Sequence, residues 1–174
     1  MELIREGRVW KFGDDINTDL IFPQSAFRLP VAEQRRLVFS AIRPNWAAGV
    51  ASGDLIIGGK NFGTGSGRPV GKVFSECGIA GLAADSLNGL CVRNCIKYSF
   101  PALECAGVSS LFDEGDVARI DFTSGVVHNL TRGKHQQGKP LPAFLVAIIH
   151  SGGIIPMLIR DGYIEDKPRP IAAS

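Results

Sequence analysis

The chain has 174 residues, of which 45% are hydrophobic and 21% are charged, and its formal net charge is +2. This length predicts one domain, and the composition excludes a largely disordered chain. The near balance of 19 basic and 17 acidic residues argues against a strongly basic nucleic-acid binder. No apolar run reaches the ~18 residues of a membrane helix, so we expect neither nucleic acid nor a membrane as a partner.

The first two thirds of the chain read as alternating strands and helices. The predicted elements, in chain order, are a strand at residues 8–12, a polar turn at 14–19, a helix at 31–42, a strand at 54–58, a helix from about 69 to 77, a strand at 79–84 and a helix at 86–96. Pro69 suits a first helical turn, Gly78 suits a helix end, and Asp85 or Ser86 suits the N-cap of the last helix. This order is typical of an α/β fold.

The last third of the chain no longer alternates strand with helix. The pattern predicts strands at 117–122 and 126–130, a polar loop at 132–142 and a helix at 144–150. The three residues between the two strands include Gly125, which indicates a hairpin loop. We expect one domain over residues 1–160 and a flexible C-terminal tail over residues 161–174.

Residue types that bind metals or act as nucleophiles are sparse. Cys91 and Cys95 would lie one helical turn apart, but no second pair or histidine has ligand spacing. The three histidines are scattered and form no triad pattern. We therefore predict no metal site in this chain, buried and reduced thiols, and a cytoplasmic protein.

A glycine-rich loop follows the predicted strand at 54–58. Glycine recurs five times from Gly59 to Gly71, and it permits positive φ angles and close approach of backbone to a ligand. A helix that begins near Pro69 would aim free amides at the same place. Arg68 at such a helix start is electrostatically misplaced unless an anion joins it, and Ser66 adds a hydroxyl. The loop thus fits a carboxylate or phosphate pocket, or equally a tight turn with a solvated arginine.

The same loop partly imitates a dinucleotide fingerprint. Gly63, Gly65 and Gly67 precede a helix, and Asp85 lies ~20 residues farther on. However, the spacing is G-x-G-x-G, and the triplet does not follow directly on the strand. A non-catalytic module that binds an anion or a nucleotide through the loop from Gly59 to Gly71 stays as the alternative function.

Three separated segments resemble one known family. Residues 58–68, GGKNFGTGSGR, resemble the G-x-N-F-G-C-G-S-S-R loop of the aconitase-type swivelling domain. Residues 13–23, GDDINTDLIFP, resemble its opening signature, and LPAF at 141–144 with GGIIP at 152–156 resembles its closing segment. The resemblance implies a single swivelling β/β/α domain with a mostly parallel core and a hairpin in the second half. The length resembles that of a separate small subunit, as in 3-isopropylmalate dehydratase.

The resemblance also implies a reaction and a partner. In this family a larger subunit holds a [4Fe–4S] cluster, whose open iron binds the hydroxyl and a carboxylate of the substrate. The reaction is the reversible dehydration of a 2- or 3-hydroxy di- or tricarboxylate, in leucine biosynthesis for 3-isopropylmalate dehydratase. The implied protein is therefore a hydro-lyase small subunit, active only as a heterodimer or heterotetramer and with no cofactor of its own.

Three residues match the family's catalytic positions. Ser66 matches the serine that removes a proton from carbon as an alkoxide, and Arg68 matches the arginine that clamps a substrate carboxylate. Asp19 matches an active-site aspartate that orients by hydrogen bonding, although an ordinary turn aspartate would look the same.

A second group falls in the expected substrate-binding segments. Phe27 and Arg28 lie where relatives carry a specificity loop, so Arg28 is a candidate second carboxylate contact and otherwise a surface arginine. The remaining substrate-binding candidates flank the catalytic ones, and they are Thr18, Thr64, Gly65 and Gly67.

The loop departs from the family pattern at three places. Thr64 stands for the cysteine, Gly67 for the second serine, and Pro69-Val70 for Glu-His. Ser66 and Arg68 survive, so the departures fit either a changed substrate, such as a methyl-substituted malate, or a paralogue that has lost activity.

Overall fold

The protein folds around a mixed β-sheet, as shown by a computed structural model that describes residues 2–166. Within these residues the sheet has seven strands in the order β4-β3-β2-β1-β5-β6-β7. The strands are β1 (Ile4–Lys11), β2 (Leu55–Gly58), β3 (Gly81–Ala84), β4 (Ala102–Glu104), β5 (Val117–Asp121), β6 (Val126–Asn129) and β7 (Lys134–Gln137). Strands β1 to β4 pair in parallel, whereas β5, β6 and β7 extend the sheet antiparallel from β1.

Strand β1 joins the parallel and antiparallel parts of the sheet. Its C-terminal half pairs with β2, with Val9 opposite Leu55, and its N-terminal half pairs with β5, with Gly7 opposite Ala118. All four residues of β2 are buried. A strand covered on both faces is expected to be apolar throughout, which explains the LIIG sequence.

Short helices cover the sheet. They are α1 (Thr18–Ile21), α2 (Val31–Gln34), α3 (Trp46–Gly49), α4 (Val70–Cys77), α5 (Gly89–Lys97), α6 (Ala143–His150) and α7 (Ile154–Arg160). No single helix in residues 2–166 is long and apolar enough to cross a membrane. Helices α6 and α7 reach that length and composition only as a pair, which bends by 83° between them.

Two hydrophobic clusters lie on opposite faces of the sheet. Ile56 enters the first cluster, whereas Leu55 and Ile57 enter the second, because successive side chains of a strand point to opposite faces. The first cluster is rich in aromatic rings and lies under the segments that precede and follow β2. It therefore forms the floor of the region in which the glycine-rich loop folds.

The predicted α/β class and the hairpin at residues 117–130 are confirmed. Helix α4 also matches its prediction, and Gly78 ends it at φ +98° in the left-handed region. The continuous helix predicted at 31–42 is wrong, since the segment forms α2, a 3₁₀ turn and further turns. Phe39 adopts a φ of +55° there, and its buried ring stacks on Phe12 with centroids 4.0 Å apart. Burial of this ring in the aromatic cluster overrides helical propensity.

Helix α5 begins three residues later than predicted. Asn88 is its N-cap and accepts a hydrogen bond from Leu90 N. The two predicted caps have other partners, because Asp85 accepts from Ser109 and Ser86 Oγ accepts from Asn61 N.

Several further elements were absent from the prediction, among them α1, α3 and β4. Strand β7 lies inside the predicted polar loop at 132–142, and α7 follows the glycine pair that ends α6. The sequence of β7, KHQQ, has no apolar alternation because the strand is exposed at the sheet edge. The predicted domain limit at residue 160 and the tail at 161–174 stay predictions, and residues 167–174 lie outside the described residues.

Candidate active site

Two distant segments of the chain lie side by side at one edge of the sheet. The segment after β1 and the segment after β2 leave the carboxyl ends of neighbouring parallel strands, where ligands bind in open α/β sheets. Backbone hydrogen bonds join them, namely Asp15 N to Lys60 O (2.9 Å), Gly63 N to Ile16 O (2.7 Å) and Thr18 N to Thr64 O (2.7 Å). The two recognised sequence signatures therefore form one structural unit.

Two glycines of the loop are required by backbone geometry. Gly63 has a φ of +79°, and a Cβ there would lie 2.4 Å from Cys91 Sγ. Gly65 has a φ of +106°, and a Cβ there would lie 2.8 Å from Thr18 Oγ1. L side chains avoid such φ values, and neither site has room for one. These glycines let the loop pack closely against the opening segment and helix α5.

A cleft of about 700 Å³ opens beside this unit. Its lining residues are Gln24, Ser25, Phe27, Arg28, Ser66, Gly67 and Arg68. The structure thus brings Ser66, Arg68, Gly67, Phe27 and Arg28 together at one surface. Sequence reasoning missed Gln24 and Ser25. Their only signal is their position, between the end of the opening signature and the predicted specificity loop.

Arg68 is a buried cation at the wall of the cleft. Only 7% of the residue is exposed, and its guanidinium donates to the carboxylate of Asp19. The Phe27 ring covers it, with the guanidinium carbon 5.5 Å from the ring centroid. Arg68 Nε is buried and has no partner among the described residues. Since buried donors are normally paired, the described residues leave the hydrogen bonding of the Arg68 guanidinium incomplete.

Ser66 stands exposed on the loop, two residues before Arg68. Its hydroxyl and its backbone amide have no partner within residues 2–166, and neither does the Gly67 amide. A serine hydroxyl becomes a base or nucleophile only where its anion is stabilised. Donors on the residues that line the same cleft include these two amides and the Arg68 guanidinium.

The first two amides of helix α4 are not free, although the sequence suggested free amides at this helix start. Val70 N donates to Arg68 O at 2.8 Å, and Gly71 N donates to Asn94 Oδ1 at 3.2 Å. Both groups are therefore engaged within the protein. The cationic side chains that line the cleft are those of Arg68 and Arg28.

The remaining predicted site residues lie around the cleft rather than in its lining. Thr18 is buried, with its hydroxyl directly under Gly65, and Thr64 is half-buried. Asp19 is exposed and reaches the cleft through its ion pair with Arg68. The Asn17 side chain accepts hydrogen bonds from Asp19 N and Leu20 N, so this N-cap fixes the short helix that carries Asp19.

The cleft carries two cations with different surroundings. Arg68 is buried and partly neutralised by Asp19, whereas Arg28 is exposed and forms no ion pair within residues 2–166. Two guanidinium groups and an uncommitted hydroxyl favour a ligand with two negative groups. The exposed face of Phe27 adds an apolar surface between polar groups.

Residues 2–166 hold no cluster of metal ligands. No group of three or more histidine, cysteine, aspartate or glutamate side chains within them could bind a metal ion. The four cysteines are buried and free, and burial raises the pKa of Cys77 and of Cys105 to about 11. The thiols of Cys77 and Cys105 are therefore protonated at neutral pH and are poor metal ligands. The described residues therefore do not fit an iron–sulfur cluster.

Comparison with known proteins gives clear relatives, although no protein-family model matches the chain. It is 37% identical over 162 residues to the isopropylmalate/citramalate isomerase small subunit of Methanocaldococcus jannaschii, covering 91% of this chain and 95% of the relative. The chain belongs to the 3-isopropylmalate dehydratase small-subunit family.

Other members of this family give the same result. The 3-isopropylmalate dehydratase small subunit of Clostridioides difficile is 37% identical, with 88% of this chain and 95% of the relative covered. The methanogen homoaconitase small subunit of Methanothermobacter thermautotrophicus is 36% identical, with 89% and 91% covered. Members of the 3-isopropylmalate dehydratase family are hydro-lyase subunits.

A solved structure confirms the family fold. The crystal structure of 3-isopropylmalate dehydratase (leuD) from M. jannaschii superposes with a TM-score of 0.84 at 27% identity. The match covers 94% of this chain and 98% of that one. The mixed sheet described above is therefore the fold of the 3-isopropylmalate dehydratase small-subunit family.

Proposed function

We propose that this chain is the small subunit of a hydro-lyase that reversibly dehydrates an alkyl-substituted 2- or 3-hydroxy dicarboxylate, with a large subunit as its partner. The observation that carries the proposal is the Ser66 hydroxyl, which has no partner among the described residues 2–166 and is exposed on the cleft whose wall holds the buried Arg68 guanidinium. This pairing supplies a proton acceptor and a carboxylate clamp in one site. The small-subunit names of the relatives support a large-subunit partner.

Each residue of the cleft has a different role toward the substrate. Arg68 binds one carboxylate through its guanidinium, whose Nε has no partner within residues 2–166, and Asp19 holds that guanidinium in place. Ser66 accepts the proton from carbon, and the Ser66 and Gly67 amides together with Arg68 stabilise the alkoxide that this requires. The cleft wall of Phe27 excludes water from one side of the reacting carbon.

The iron–sulfur cluster belongs to the proposed large subunit. When bound there it supplies a Lewis acid for the leaving hydroxyl. The proposal places the cleft of this chain against that cluster, in a heterodimer or heterotetramer located in the cytoplasm.

The substrate class follows from the charges and the apolar wall. Arg68 and Arg28 can each bind one carboxylate, and the exposed Phe27 ring offers a contact for an alkyl substituent. A relative named for both isopropylmalate and citramalate supports such alkyl-substituted dicarboxylates. The engaged amides at the start of α4 do not support the alternative of a phosphate- or nucleotide-binding module.

The departures from the family loop leave the catalytic pair in place. A Cβ at Gly67 would meet its nearest atom, Leu90 Cδ2, at 3.8 Å, which is an ordinary contact distance. The backbone at this position would therefore also accommodate the serine of the family loop. Ser66, Gly67 and Arg68 still line one cleft. These observations support an active enzyme over a paralogue that has lost activity.

Anaerobic reconstitution with the large subunit tests the proposal. The assembled enzyme is offered isopropylmalate, citramalate and malate, and alkene formation is followed by ultraviolet absorbance. We expect turnover with an alkyl-substituted acid, and we expect Ser66→Ala to reduce kcat by about 10²–10⁴-fold while subunit association stays intact.

A matched control uses the other serine of the cleft. Ser25→Ala removes a hydroxyl from the same lining, and we expect its kcat to stay within about twofold of wild type. Turnover by Ser66→Ala at the wild-type rate would exclude Ser66 as the base. A chain that recruits no iron-containing partner would exclude the hydro-lyase proposal.

A further inference from the structure

Helix α4 begins without a cap of its own. Its N-cap residue is Pro69, which makes no side-chain hydrogen bond to the first turn. The first amides of a helix have no acceptor inside the helix, so each needs one elsewhere. Proline has no N–H, and Val70 N is satisfied by Arg68 O at 2.8 Å. The buried Gly71 amide is the next group that requires an acceptor.

Helix α5 supplies that acceptor from outside α4. Gly71 N donates to Asn94 Oδ1, at 3.2 Å, across the contact between the two helices. The helices touch closely here, because a Cβ at Gly71 would lie 2.7 Å from the Cα of Cys95. The Asn94 side chain thus caps a helix to which it does not belong.

Short backbone hydrogen bonds connect this cap to the cleft. Arg68 N donates to Ser66 O at 2.8 Å, and Val70 N donates to Arg68 O at 2.8 Å. These two consecutive bonds join residues 66–70, and Gly71 follows directly in the chain. A displacement of Gly71 therefore displaces the Ser66 and Arg68 backbones with it.

We infer that Asn94 is a positioning residue for the reaction, which holds Ser66 and Arg68 at the cleft by capping the start of α4. It does not line the cleft and touches no part of the proposed substrate. This inference rests on the proposed function, because it concerns the geometry of that same site. Misplacement of reacting groups by about 1 Å costs about 10²-fold in rate, so the capping bond has a measurable effect.

Three variants separate positioning from stability. Asn94→Leu removes the acceptor while keeping the same branched arrangement of heavy atoms, and Asn94→Asp keeps a carboxylate oxygen in its place. Asn88→Ala is the matched control, since Asn88 caps α5 itself through Leu90 N. Loss of either asparagine weakens the α5 region, but only the change at Asn94 releases the Gly71 amide.

The first measurement uses the small subunit alone. Amide NMR spectra report the backbone around the cleft, and they do not depend on turnover. For Asn94→Leu we expect altered amide shifts at Gly71, Arg68 and Ser66, with faster hydrogen exchange at Gly71. Asn94→Asp and Asn88→Ala should leave the Ser66 and Arg68 shifts near wild type. Shifts confined to Gly71 would overturn the inference, whatever the enzyme does.

The second measurement uses the assembled enzyme. We expect Asn94→Leu to lower kcat about 10- to 100-fold with subunit association unchanged, and we expect Asn94→Asp to restore kcat to within a fewfold. Wild-type kcat in Asn94→Leu, with only a lowered melting temperature as in Asn88→Ala, would overturn the positioning role. An inactive wild-type assembly would instead contradict the proposed function, and the NMR result would still decide the positioning of Ser66 and Arg68.

Discussion

The parallel and antiparallel halves of the sheet differ in whether their polar side chains have partners. In the antiparallel half, the charged groups pair with each other, as Arg119 does with Glu6, and as Arg132 does with Asp113 and Asp116. At the edge of the parallel half, the Ser66 hydroxyl, the Ser66 amide and the Arg28 guanidinium have no partner within residues 2–166. The ion pairs of the antiparallel half are thus satisfied within the described residues, whereas the polar groups at the cleft are available to a ligand.

The order of the strands explains this division. Parallel strands need crossover helices, so the segments that follow β1 and β2 leave the same edge of the sheet and can meet. Antiparallel strands are joined by tight turns, and the turn between β5 and β6 is closed by the Asp121 carboxylate, which accepts from Thr123 N and Ser124 N. The parallel half therefore builds the cleft, and the antiparallel half stabilises β1.

The largest expected difference between the two halves is in stability, when one glycine in each half is replaced by alanine. Gly65→Ala forces a side chain into a φ of +106° and against Thr18 Oγ1, so we expect a loss of about 3 kcal/mol in stability. Gly133→Ala in the antiparallel half has a φ of +64° and open space around it, so about 1 kcal/mol is expected. Urea unfolding of both variants measures the difference, and equal losses would contradict the packing of Gly65 on Thr18.

A smaller effect is expected from protonation of one buried aspartate in each half. Burial opposes ionisation of Asp54, but hydrogen bonds from Arg8, Ala51 N and Trp10 outweigh it and lower its pKa. Burial likewise opposes ionisation of Asp116, and bonds to its carboxylate lower its pKa as well. A carboxyl with a lowered folded-state pKa stabilises the fold above its unfolded pKa of about 3.9, and this contribution is lost as the pH falls through the folded value.

The measurement is the urea midpoint between pH 7 and pH 2. We expect the midpoint of the wild type to fall steeply below about pH 4, and we expect Asp54→Asn to flatten that fall while lowering the midpoint at pH 7. Asp121→Asn offers a comparison at the exposed hairpin turn, where the pKa is also lowered. A pH profile of Asp54→Asn that parallels the wild type would show that the Asp54 network adds no pH-dependent stability.

Each half of the sheet had some elements that the sequence predicted and others that it did not. The buried strand β2, the glycine-rich loop and the bounds of α4 all have local signals, since LIIG is apolar throughout and Gly78 ends the helix. In the antiparallel half, β7 was not predicted, because its residues KHQQ are largely exposed and do not alternate between polar and apolar. A strand can be recognised from its sequence only where burial imposes a pattern on it.

Long-range partners account for what the sequence could not show at the site. Asp85 and Ser86 are residue types that commonly form N-caps, but here they accept hydrogen bonds from Ser109 and Asn61 instead. The local sequence predicts an unpaired amide at Gly71, in the first turn of α4, yet this amide donates to Asn94 Oδ1 on the next helix. The sequence therefore predicted which residue types meet at the cleft, and the fold determined which of their polar atoms stay unpartnered.

The smallest effect is expected from Gly67→Ser, which restores the second serine of the family loop. The φ of Gly67 lies outside the left-handed region, and a Cβ there would have only Leu90 Cδ2 nearby, at 3.8 Å. We therefore expect a change in stability within about 0.5 kcal/mol, unlike Gly65→Ala two residues away. The new hydroxyl would lie in the cleft lining beside Ser66. In the assembled enzyme, the ratio of kcat/KM for malate to kcat/KM for isopropylmalate should rise, because an added donor favours the more polar acid. An unchanged ratio would show that position 67 does not contact the substituent that distinguishes the two acids.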